Sequence, residues 1–391
     1  MKKIINKFTS HPASINETYV QHLQFTVKEA LRLAKASAAL LTHGLMPFLF
    51  VNYARDKISN LEQKLLKRNP TIDSNISTSI LDLIGKTPML QLSNFNSDLH
   101  CNVFAKCEMF NPTLSIKDRI VLFMLRQYES NGTLKHGDVI YEASSGNTGS
   151  SLAMIASVLG YKVIITVPEK TSQEKIDTMR TFGAEVIVCP KGLAIDSPEH
   201  YSNKARILSQ QNQGSIYFNQ YDSENNVLAH YRHTAEEIWQ QMNGKIDYFI
   251  APASSGGTIS GIGKFLKDKN PKIKIILPDP IGSVFYDHFH GNELKSNSYQ
   301  TEGAGKDKVC SIHDFSIIDD VIQFTDEEAF SAAKKLARKE GVLSGGSSGG
   351  ALAVAEKIAK TLPQGGIKHN IVVMLPDSGF KYLSKFYKCN P

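Results

Sequence analysis

Apolar residues occur with two different spacings along most of the chain, so that strand-like runs are followed by helix-like runs. Val103–Cys107 and Val139–Glu142 are short apolar runs typical of buried strands, whereas Asp118–Ser130 and Thr148–Leu159 carry apolar residues at helical spacing. The same alternation continues to a last strand at Asn370–Leu375. Strands that alternate with helices predict parallel sheets with helices on both faces, and ligands that bind where the strands end.

A different pattern marks the first fifth of the chain, where one long stretch lacks charge. Ala36–Ala54 contains no Lys, Arg, Asp or Glu and lies between Lys35 and Arg55. This run just reaches membrane-spanning length, but Gly44 and Pro47 near its centre favour a helix–turn–helix that bends there and lies in the membrane interface. A hydrophobic helical hairpin packed on the body or on a second subunit explains the pattern equally well.

Composition divides the chain just after this stretch. A polar helix at about 55–68 precedes a connector rich in Pro, Asn, Ser and Thr, which predicts a linker. We therefore predict a helical extension at 1–78 and a body at 79–391 with two α/β subdomains, the smaller at about 120–220. The extension has eleven Lys/Arg against five Asp/Glu and the body has 33 of each, so the net charge of +6 belongs to the extension. The body gives no support for nucleic-acid binding, whereas the extension suits contact with an anionic membrane surface.

The five cysteines are an odd number at irregular spacings, with no CxxC pair and no Cys/His cluster of metal-ligand spacing. The N-terminus also lacks the order of charged, apolar and small residues that a secretory signal needs. We therefore expect a cytoplasmic protein without a structural metal, attached to the membrane if the extension binds it. The cysteines are Cys101, Cys107, Cys189, Cys310 and Cys389.

Three Gly/Ser-rich loops stand where predicted strands lead into predicted helices. Backbone without bulky side chains at a helix N-terminus presents free N–H groups that bind anions, so three such loops predict an anionic ligand held at several points. None contains GxxxxGK[ST] or GxGxxG, which argues against a nucleoside triphosphate or a dinucleotide. The loops are Ser144-Ser145-Gly146-Asn147-Thr148-Gly149, Ser254-Ser255-Gly256-Gly257-Thr258 and Gly345-Gly346-Ser347-Ser348-Gly349-Gly350.

A fourth element, Asn111–Arg119, places Lys117 at the opening of a helix. A lysine near the positive ends of helix dipoles in a partly apolar site has a lowered pKa, which suits an amine that forms a Schiff base. On this segment alone, an ordinary helix start with Ser115 as N-cap and Lys117 in solvent explains the pattern at least as well.

In order and spacing, these four elements together resemble the fold-type II pyridoxal-phosphate enzymes, and specifically the cysteine synthase and cystathionine β-synthase family. The resemblance covers about residues 79–391 and opens with Ile84-Gly85-Lys86-Thr87-Pro88. It implies an α/β body of two open, twisted, mostly parallel sheets flanked by helices. It also implies pyridoxal 5′-phosphate as cofactor, small amino acids as substrates and a homodimer.

The resemblance assigns roles to individual residues. Lys117 matches the lysine that carries the cofactor and then acts as general base, Asn147 the partner of the cofactor's 3′-oxygen, and Ser347 the hydroxyl facing its ring nitrogen. A neutral group at that nitrogen favours β-elimination over transamination in this family. The cofactor phosphate is expected on Ser254, Ser255, Gly256, Gly257 and Thr258. The substrate carboxylate is expected on Ser144, Ser145, Gly146 and Thr148.

Several loops look more like the cystathionine β-synthase branch than like cysteine synthase. Two of them are Pro168-Glu169-Lys170-Thr171-Ser172 and Tyr299-Gln300-Thr301-Glu302-Gly303. In that branch a Tyr and a Glu-Gly turn line the entrance used by the thiol amino acid. Tyr221, Glu302 and Gly303 are therefore the candidates for selecting homocysteine, with a surface or supporting role as the alternative.

The resemblance therefore implies β-replacement on serine, or on O-acetylserine, with homocysteine to give cystathionine. Cysteine synthase activity with sulfide, or use of another nucleophile such as an amine, is a second interpretation. A catalytically silent module that docks a partner's C-terminal tail is a third. In the extension, His11-Pro12-Ala13-Ser14 and His43–Phe48 resemble a short bacterial domain of uncharacterised function, which identifies a module without giving its role.

Overall fold

The computed structural model describes residues 17–46, 49, 52–68, 76–95, 100–144, 146–169, 171–194, 196–363, 365 and 368–387. Its two compact units are Met1–Ser79 and Ile80–Pro391, so the boundary lies one residue after the predicted one. Among the predicted site residues, Ser145 lies outside the described ones.

The extension contains two helices, α1 (Tyr19–Leu45) and α2 (Tyr53–Arg68). Thr18 caps α1, because its Oγ1 accepts from Gln21 N while Gln21 Oε1 accepts from Thr18 N. The sequence predicted a bend at Gly44 and Pro47. Gly44 instead lies in the last turn of α1, and Pro47 lies outside the described residues.

The described part of the body forms two sheets. The larger has the order β1-β2-β10-β7-β8-β9, with β1 antiparallel and the remaining pairs parallel, and the smaller has the order β5-β4-β3-β6, all parallel. The strands are β1 (Met89–Gln91), β2 (Cys101–Cys107), β3 (Val139–Ala143), β4 (Lys162–Pro168), β5 (Glu185–Cys189), β6 (Ser215–Tyr217), β7 (Tyr248–Ile250), β8 (Lys274–Pro280), β9 (Asp320–Phe324) and β10 (His369–Leu375).

Helices pack on both sheets around buried aliphatic cores. They are α3 (Lys117–Ser130), α4 (Asn147–Leu159), α5 (Gln173–Thr181), α6 (Tyr201–Gln211), α7 (Glu224–Ala229), α8 (Ala235–Gln241), α9 (Gly257–Lys269), α10 (Phe285–His290), α11 (Asp326–Glu340) and α12 (Gly346–Thr361). A π-helical turn at His230–Thr234 joins α7 to α8, and a 3₁₀ turn at Gly379–Tyr382 follows β10. The predicted α/β architecture of two mostly parallel sheets is confirmed.

A buried cluster of paired charges fixes the start of α3 against β2 and α8. Arg119 Nε donates to Glu108 Oε2 at 2.6 Å, and Arg119 Nη2 donates to Glu237 Oε2 at 2.8 Å. Lys106 Nζ donates to the same Glu237 oxygen at 2.9 Å. Burial acts to raise the pKa of Glu237, but hydrogen bonds and charge from Arg119 outweigh it and lower that pKa to about 2. Because removing one partner strands a buried charge, this cluster makes the position of α3 hard to change.

Candidate active site

A cavity of about 810 Å³ lies at the carboxyl ends of the parallel strands. Ser144, directly after β3, and Pro376, directly after β10, both line it, so each sheet contributes. The N-termini of α3, α4 and α12 reach the same cavity at Lys117, Asn147 and Gly346. Three helix N-termini around one space favour an anionic ligand there.

Most of the predicted site residues meet in this cavity. Gly256, Gly257 and Thr258 are not among its lining residues and lie in the loop and first turn of α9 directly behind Ser255. The predicted residues that line the cavity are Lys117, Ser144, Gly146, Asn147, Thr148, Tyr221, Ser254, Ser255, Glu302, Gly303 and Ser347.

Lys117 is positioned by a loop that is fastened to the end of β10. Ile116 N donates to Pro376 O at 2.8 Å, and Ser378 N donates to Leu114 O at 3.1 Å. Leu114 itself adopts a left-handed conformation with φ of 59°, an uncommon strain for a branched residue, which turns the chain into α3.

The Lys117 amine is desolvated and available. Burial lowers its pKa to about 8, while the nearby Asp377 carboxylate opposes that shift. Among the described residues, none forms a hydrogen bond or ion pair with Lys117 Nζ. Ser115 Oγ accepts from Lys117 N at 3.0 Å, but the N-cap residue of α3 is Ile116 and not the predicted Ser115.

Asn147 begins α4 and is held by three residues that follow β10. Its Oδ1 accepts from Lys381 Nζ at 2.6 Å, and its Nδ2 donates to Asp377 Oδ2 at 2.8 Å. Tyr382 Oη donates to the same Asp377 oxygen at 2.6 Å. Asp377 Oδ1 is buried and has no hydrogen-bond partner among the described residues. The segment after β10 is therefore part of the site.

The Ser144 loop is supported by a chain of buried polar groups. Ser144 Oγ accepts from Gly149 N at 3.1 Å, which closes the loop onto α4. Thr148 Oγ1 donates to Gln220 Oε1 at 2.6 Å, and Gln220 Nε2 donates to Glu142 Oε1 at 3.0 Å. Burial raises the pKa of Glu142 to about 8.

The loop before α9 is tightly packed. Gly256 has a φ of 96°, in the region that favours glycine. A Cβ on Gly257 would lie 2.0 Å from Asn226 Oδ1, so that position also needs a residue without a side chain. Thr258 Oγ1 lies 3.2 Å from His230 Nε2, and burial keeps the pKa of His230 well below its usual range, so the imidazole is neutral.

Ser347 lies in the first turn of α12 and is 2% exposed. A Cβ on Gly303 would lie 3.4 Å from Ser347 Oγ, so the Glu302-Gly303 turn passes close to this hydroxyl. The group that Ser347 presents to the cavity is a neutral donor and acceptor rather than a charge.

Glu302 and Tyr221 both line the cavity, and each lies against lysine side chains. Glu302 accepts from Lys175 Nζ at 2.7 Å and also contacts Lys385 Nζ. Tyr221 lies beneath Lys306, whose Nζ is 4.1 Å from the ring centroid. Burial raises the pKa of the Tyr221 hydroxyl, so it acts as a neutral group.

Sequence reasoning did not assign several residues of this site. Lys381, Asp377 and Tyr382 come from a segment that follows β10, more than 200 residues after Asn147. The sequence Leu375-Pro376-Asp377-Ser378 gave a signal, since a polar pair just past the end of a buried strand marks the ligand edge of a parallel sheet. Lys175 and Gln220 stand in stretches that resemble the same enzyme family, but the sequence assigned no role to either residue.

Comparison with known proteins agrees with this geometry. The model of the family described as pyridoxal-phosphate dependent enzyme matches residues 80–377. The chain is 45% identical over 315 residues to the cystathionine beta-synthase of Apis mellifera, covering 80% of this chain and 62% of that protein. The chain thus spans about three-fifths of the length of that relative. It is 39% identical to the O-acetylserine dependent cystathionine beta-synthase of Bacillus subtilis, covering 79% of this chain and 97% of that protein.

A solved structure has a similar fold. The O-acetylserine dependent cystathionine beta-synthase of Helicobacter pylori superposes with a TM-score of 0.73 at 33% identity, covering 80% of this chain and 99% of that one. Residues 5–68 match a family of unknown function (DUF6356). Among the described residues, no helix is long and apolar enough to cross a membrane.

Proposed function

The chain belongs to the pyridoxal-phosphate dependent enzyme family, and we propose that it catalyses β-replacement on serine or O-acetylserine with homocysteine to give cystathionine. The carrying observation is the desolvated Lys117 amine, without a partner among the described residues, in a cavity that three helix N-termini reach. The similarity to two cystathionine beta-synthases supports the choice of reaction.

The residues present fit pyridoxal phosphate. Lys117 supplies the amine that its aldehyde needs, and Ser254, Ser255 and the N-terminus of α9 offer hydroxyl and backbone donors for its phosphate. Gly257 carries no side chain, and a Cβ at this position would collide with Asn226. The neutral hydroxyl of Ser347 suits an unprotonated ring nitrogen, and Asn147 presents an amide for the ring oxygen.

Bound pyridoxal phosphate supplies an electron sink for the α-carbon of the amino-acid substrate. We assign to Lys117 Nζ the removal of the α-proton, since an amine with a lowered pKa is partly unprotonated near neutral pH. Ser144, Gly146 and Thr148 bind the substrate carboxylate at the N-terminus of α4, and the surrounding cavity excludes water from the reacting carbon.

Gln220 has a fixed orientation in this assignment. Its Oε1 accepts from Thr148, and its Nε2 donates one proton to Glu142. The second Nε2 proton is then the one available to the substrate carboxylate. Glu302, Gly303 and Tyr221 at the mouth select the second substrate.

Cysteine synthase activity with sulfide, or a silent tail-docking module, are the alternatives. Product analysis by mass spectrometry separates them: the holoenzyme receives serine or O-acetylserine, each with homocysteine and sulfide in competition. Dominant cystathionine supports the proposal, and dominant cysteine overturns the choice of nucleophile. A colourless wild-type protein without turnover that binds a peptide tail would favour the docking module, and Lys117→Ala is the control that removes cofactor attachment.

We further propose that the body forms a homodimer. The apolar side chains of Leu83 and Phe110 are exposed, and the two segments that carry them are joined by the hydrogen bond from Gly85 N to Asn111 Oδ1, at 2.9 Å. Exposed apolar side chains that lie together mark an interaction surface. Sedimentation velocity of the wild type, compared with Leu83→Glu and Phe110→Glu, tests this. A monomeric wild type would overturn it.

For the extension we propose peripheral attachment of a cytoplasmic protein to an anionic membrane. Apolar side chains repeat along one face of α1 and remain exposed, among them Val27 at 50% and Leu31 at 61%. They border a groove flanked by Lys28, Arg32 and Lys35. An exposed apolar stripe beside lysines is the pattern of a helix that lies in the membrane interface.

Charge favours lipid over a second copy as the occupant of this groove. Glu29 is the one acidic residue in the α1 sequence. It is buried and already paired with Arg32 and with Lys64, at 3.1 Å for the latter. Two copies joined through the groove would therefore bring Lys28 and Lys35 of each copy together without carboxylates, whereas anionic headgroups would neutralise them.

Co-sedimentation with vesicles of phosphatidylcholine, with and without phosphatidylglycerol, tests the attachment. Lys28→Glu with Lys35→Glu in the full chain should reduce binding to anionic vesicles at least tenfold, because each juxtamembrane cation is worth about 1 kcal/mol. Lys269→Glu with Lys272→Glu, two exposed lysines of the body, is the matched control. An equal loss of vesicle binding in the two double variants, or no vesicle binding by the wild type, would reject the proposal.

A further inference from the structure

Lys381 is a cation that contacts the side-chain amide of Asn147. Its Nζ donates to Asn147 Oδ1 at 2.6 Å from the 3₁₀ turn Gly379–Tyr382. Burial lowers the pKa of Lys381, and the Asp377 and Asp118 carboxylates oppose that shift by favouring the ammonium form. Among the described residues, Asn147 Oδ1 is the hydrogen-bond acceptor of Lys381 Nζ.

The two neighbours of Asn147 fix which way its amide points. A lysine can only donate and a carboxylate can only accept, so Oδ1 must face Lys381 and Nδ2 must face Asp377. Asp377 is itself held, because Tyr382 Oη donates to the same carboxylate oxygen at 2.6 Å. A flipped amide would place its NH₂ against the ammonium and its oxygen against the carboxylate. One Nδ2 proton is therefore spent on Asp377, and the other is left for the cavity.

The ammonium also changes how strongly the remaining proton is donated. A positive charge on the carbonyl oxygen draws electrons from the amide nitrogen, and hydrogen bonds in a chain polarise one another. A charge-assisted contact at Oδ1 thus makes Nδ2–H a better donor to a negatively charged oxygen. The effect needs the cation and the amide together.

We propose that Lys381 is a positioning residue that acts through Asn147 to stabilise the ionised form of the cofactor's ring oxygen. The inference rests on the pyridoxal-phosphate site proposed above and not on the choice of nucleophile. Lys381 has no assigned role in substrate binding, and it reaches the cofactor only through the Asn147 amide.

The test uses the absorption spectrum of the bound cofactor rather than turnover. Ionised and protonated ring oxygens give separate bands, in the visible and near-ultraviolet respectively. In Lys381→Met the ratio of the visible to the near-ultraviolet band, at neutral pH and saturating cofactor, should fall at least threefold. Lys381→Arg keeps the cation and should restore most of the ratio. Lys339→Met removes the same charge from an exposed position of α11 that does not line the cavity, and its ratio should equal that of the wild type.

A double-mutant cycle separates this role from a structural one. If Lys381 acts through Asn147, the change caused by Lys381→Met should disappear in an Asn147→Ala background. A ratio unchanged within a factor of 1.5 in Lys381→Met, or an equal change in the Asn147→Ala background, would overturn the inference. Because Lys381→Met removes packing as well as charge, Lys381→Gln gives a second variant, and its ratio should fall similarly. A wild type without bound cofactor would instead reject the proposed function and this inference with it.

Discussion

Lys175 Nζ donates to Glu302 Oε2 at 2.7 Å across the mouth of the cavity, and so joins α5 of the smaller sheet's subdomain to the turn that passes Ser347. Lys385, from the segment after β10, contacts the other Glu302 oxygen. Three separate parts of the body thus meet at one carboxylate. That carboxylate lines the cavity and stays partly exposed.

We expect Glu302→Gln to weaken the binding of homocysteine selectively. The Glu302 carboxylate can accept from the ammonium of an incoming thiol amino acid, whereas sulfide has no ammonium. A partly exposed charged hydrogen bond is worth about 1 kcal/mol, so KM for homocysteine should rise roughly three- to tenfold. Steady-state kinetics with homocysteine and with sulfide on the same preparation measure the ratio.

The sulfide reaction is the internal control for that variant. Its KM should stay within about twofold of the wild type, since the first substrate's site is untouched. An equal rise in KM for both nucleophiles would mean that Glu302 shapes the mouth through its lysines rather than recognising the thiol amino acid.

Reaction of Lys117 with an aldehyde should level off near pH 8. Only the neutral amine attacks, and burial lowers the Lys117 pKa to about 8. In the cofactor-free protein, the rate constant for pyridoxal should therefore rise about tenfold per pH unit up to that value and then become constant. Stopped-flow absorbance between pH 6 and pH 10, by about half-unit steps, gives the profile.

An ordinary lysine would give a different profile, with the rate still rising towards about pH 10.4. Lys117→Ala, under the same conditions, reports the reaction of the remaining lysines. A profile for the wild type that matches this background would contradict the assignment of Lys117.

Gly257→Ala should weaken cofactor binding. The new Cβ would lie 2.0 Å from Asn226 Oδ1, and Asn226 has little freedom because its Nδ2 donates to Gln220 O at 2.8 Å. The start of α9 must shift, so we expect the cofactor Kd to rise at least tenfold, or about 1.4 kcal/mol. Spectrophotometric titration of the cofactor-free protein measures it. Gly365→Ala, where a Cβ meets nothing within 4 Å, is the control and should bind as the wild type does.

The sequence was most informative where one local rule decides the structure. Gly/Ser clusters between an apolar run and a helix led to the loops at Ser144, Ser254 and Gly346, because bare backbone at a helix N-terminus has a clear physical purpose. The strands Met89–Gln91 and Ser215–Tyr217 were not predicted, since their three residues show neither a period nor a continuous apolar run.

Long-range partners were beyond the reach of such rules. Asn147 meets Asp377 across 230 positions and Lys381 across 234 positions, and no local pattern links these residues. Only the parallel order of β3 in one sheet and β10 in the other brings their ends to one cavity. The assignment of Lys117 likewise needed its surroundings, because burial and not the segment itself lowers its pKa.

Glu142→Gln should change how the stability of the protein depends on pH. Burial raises the pKa of Glu142 to about 8, while an unfolded Glu has a pKa of about 4.3. Between these values the folded protein binds the extra proton, so the stabilisation is complete below about pH 4.3 and is lost as pH rises through about 8. A glutamine binds no proton and lacks this dependence.

The wild type should therefore lose stability relative to Glu142→Gln as pH rises from about 5 to about 8, by at most about 1.4 kcal/mol per pH unit. The side-chain amide introduced by Glu142→Gln would also oppose the Gln220 Nε2 donor with its own NH₂, which lowers the stability of the variant by an amount that does not change with pH. Urea unfolding should therefore measure how the difference in free energy of unfolding between the two proteins changes with pH. The size of that difference at one pH is not informative. Parallel curves for the two proteins over this range would show that Glu142 is ionised throughout, and that the carboxylate is stabilised by the Asn219 N and Gln220 Nε2 donors alone.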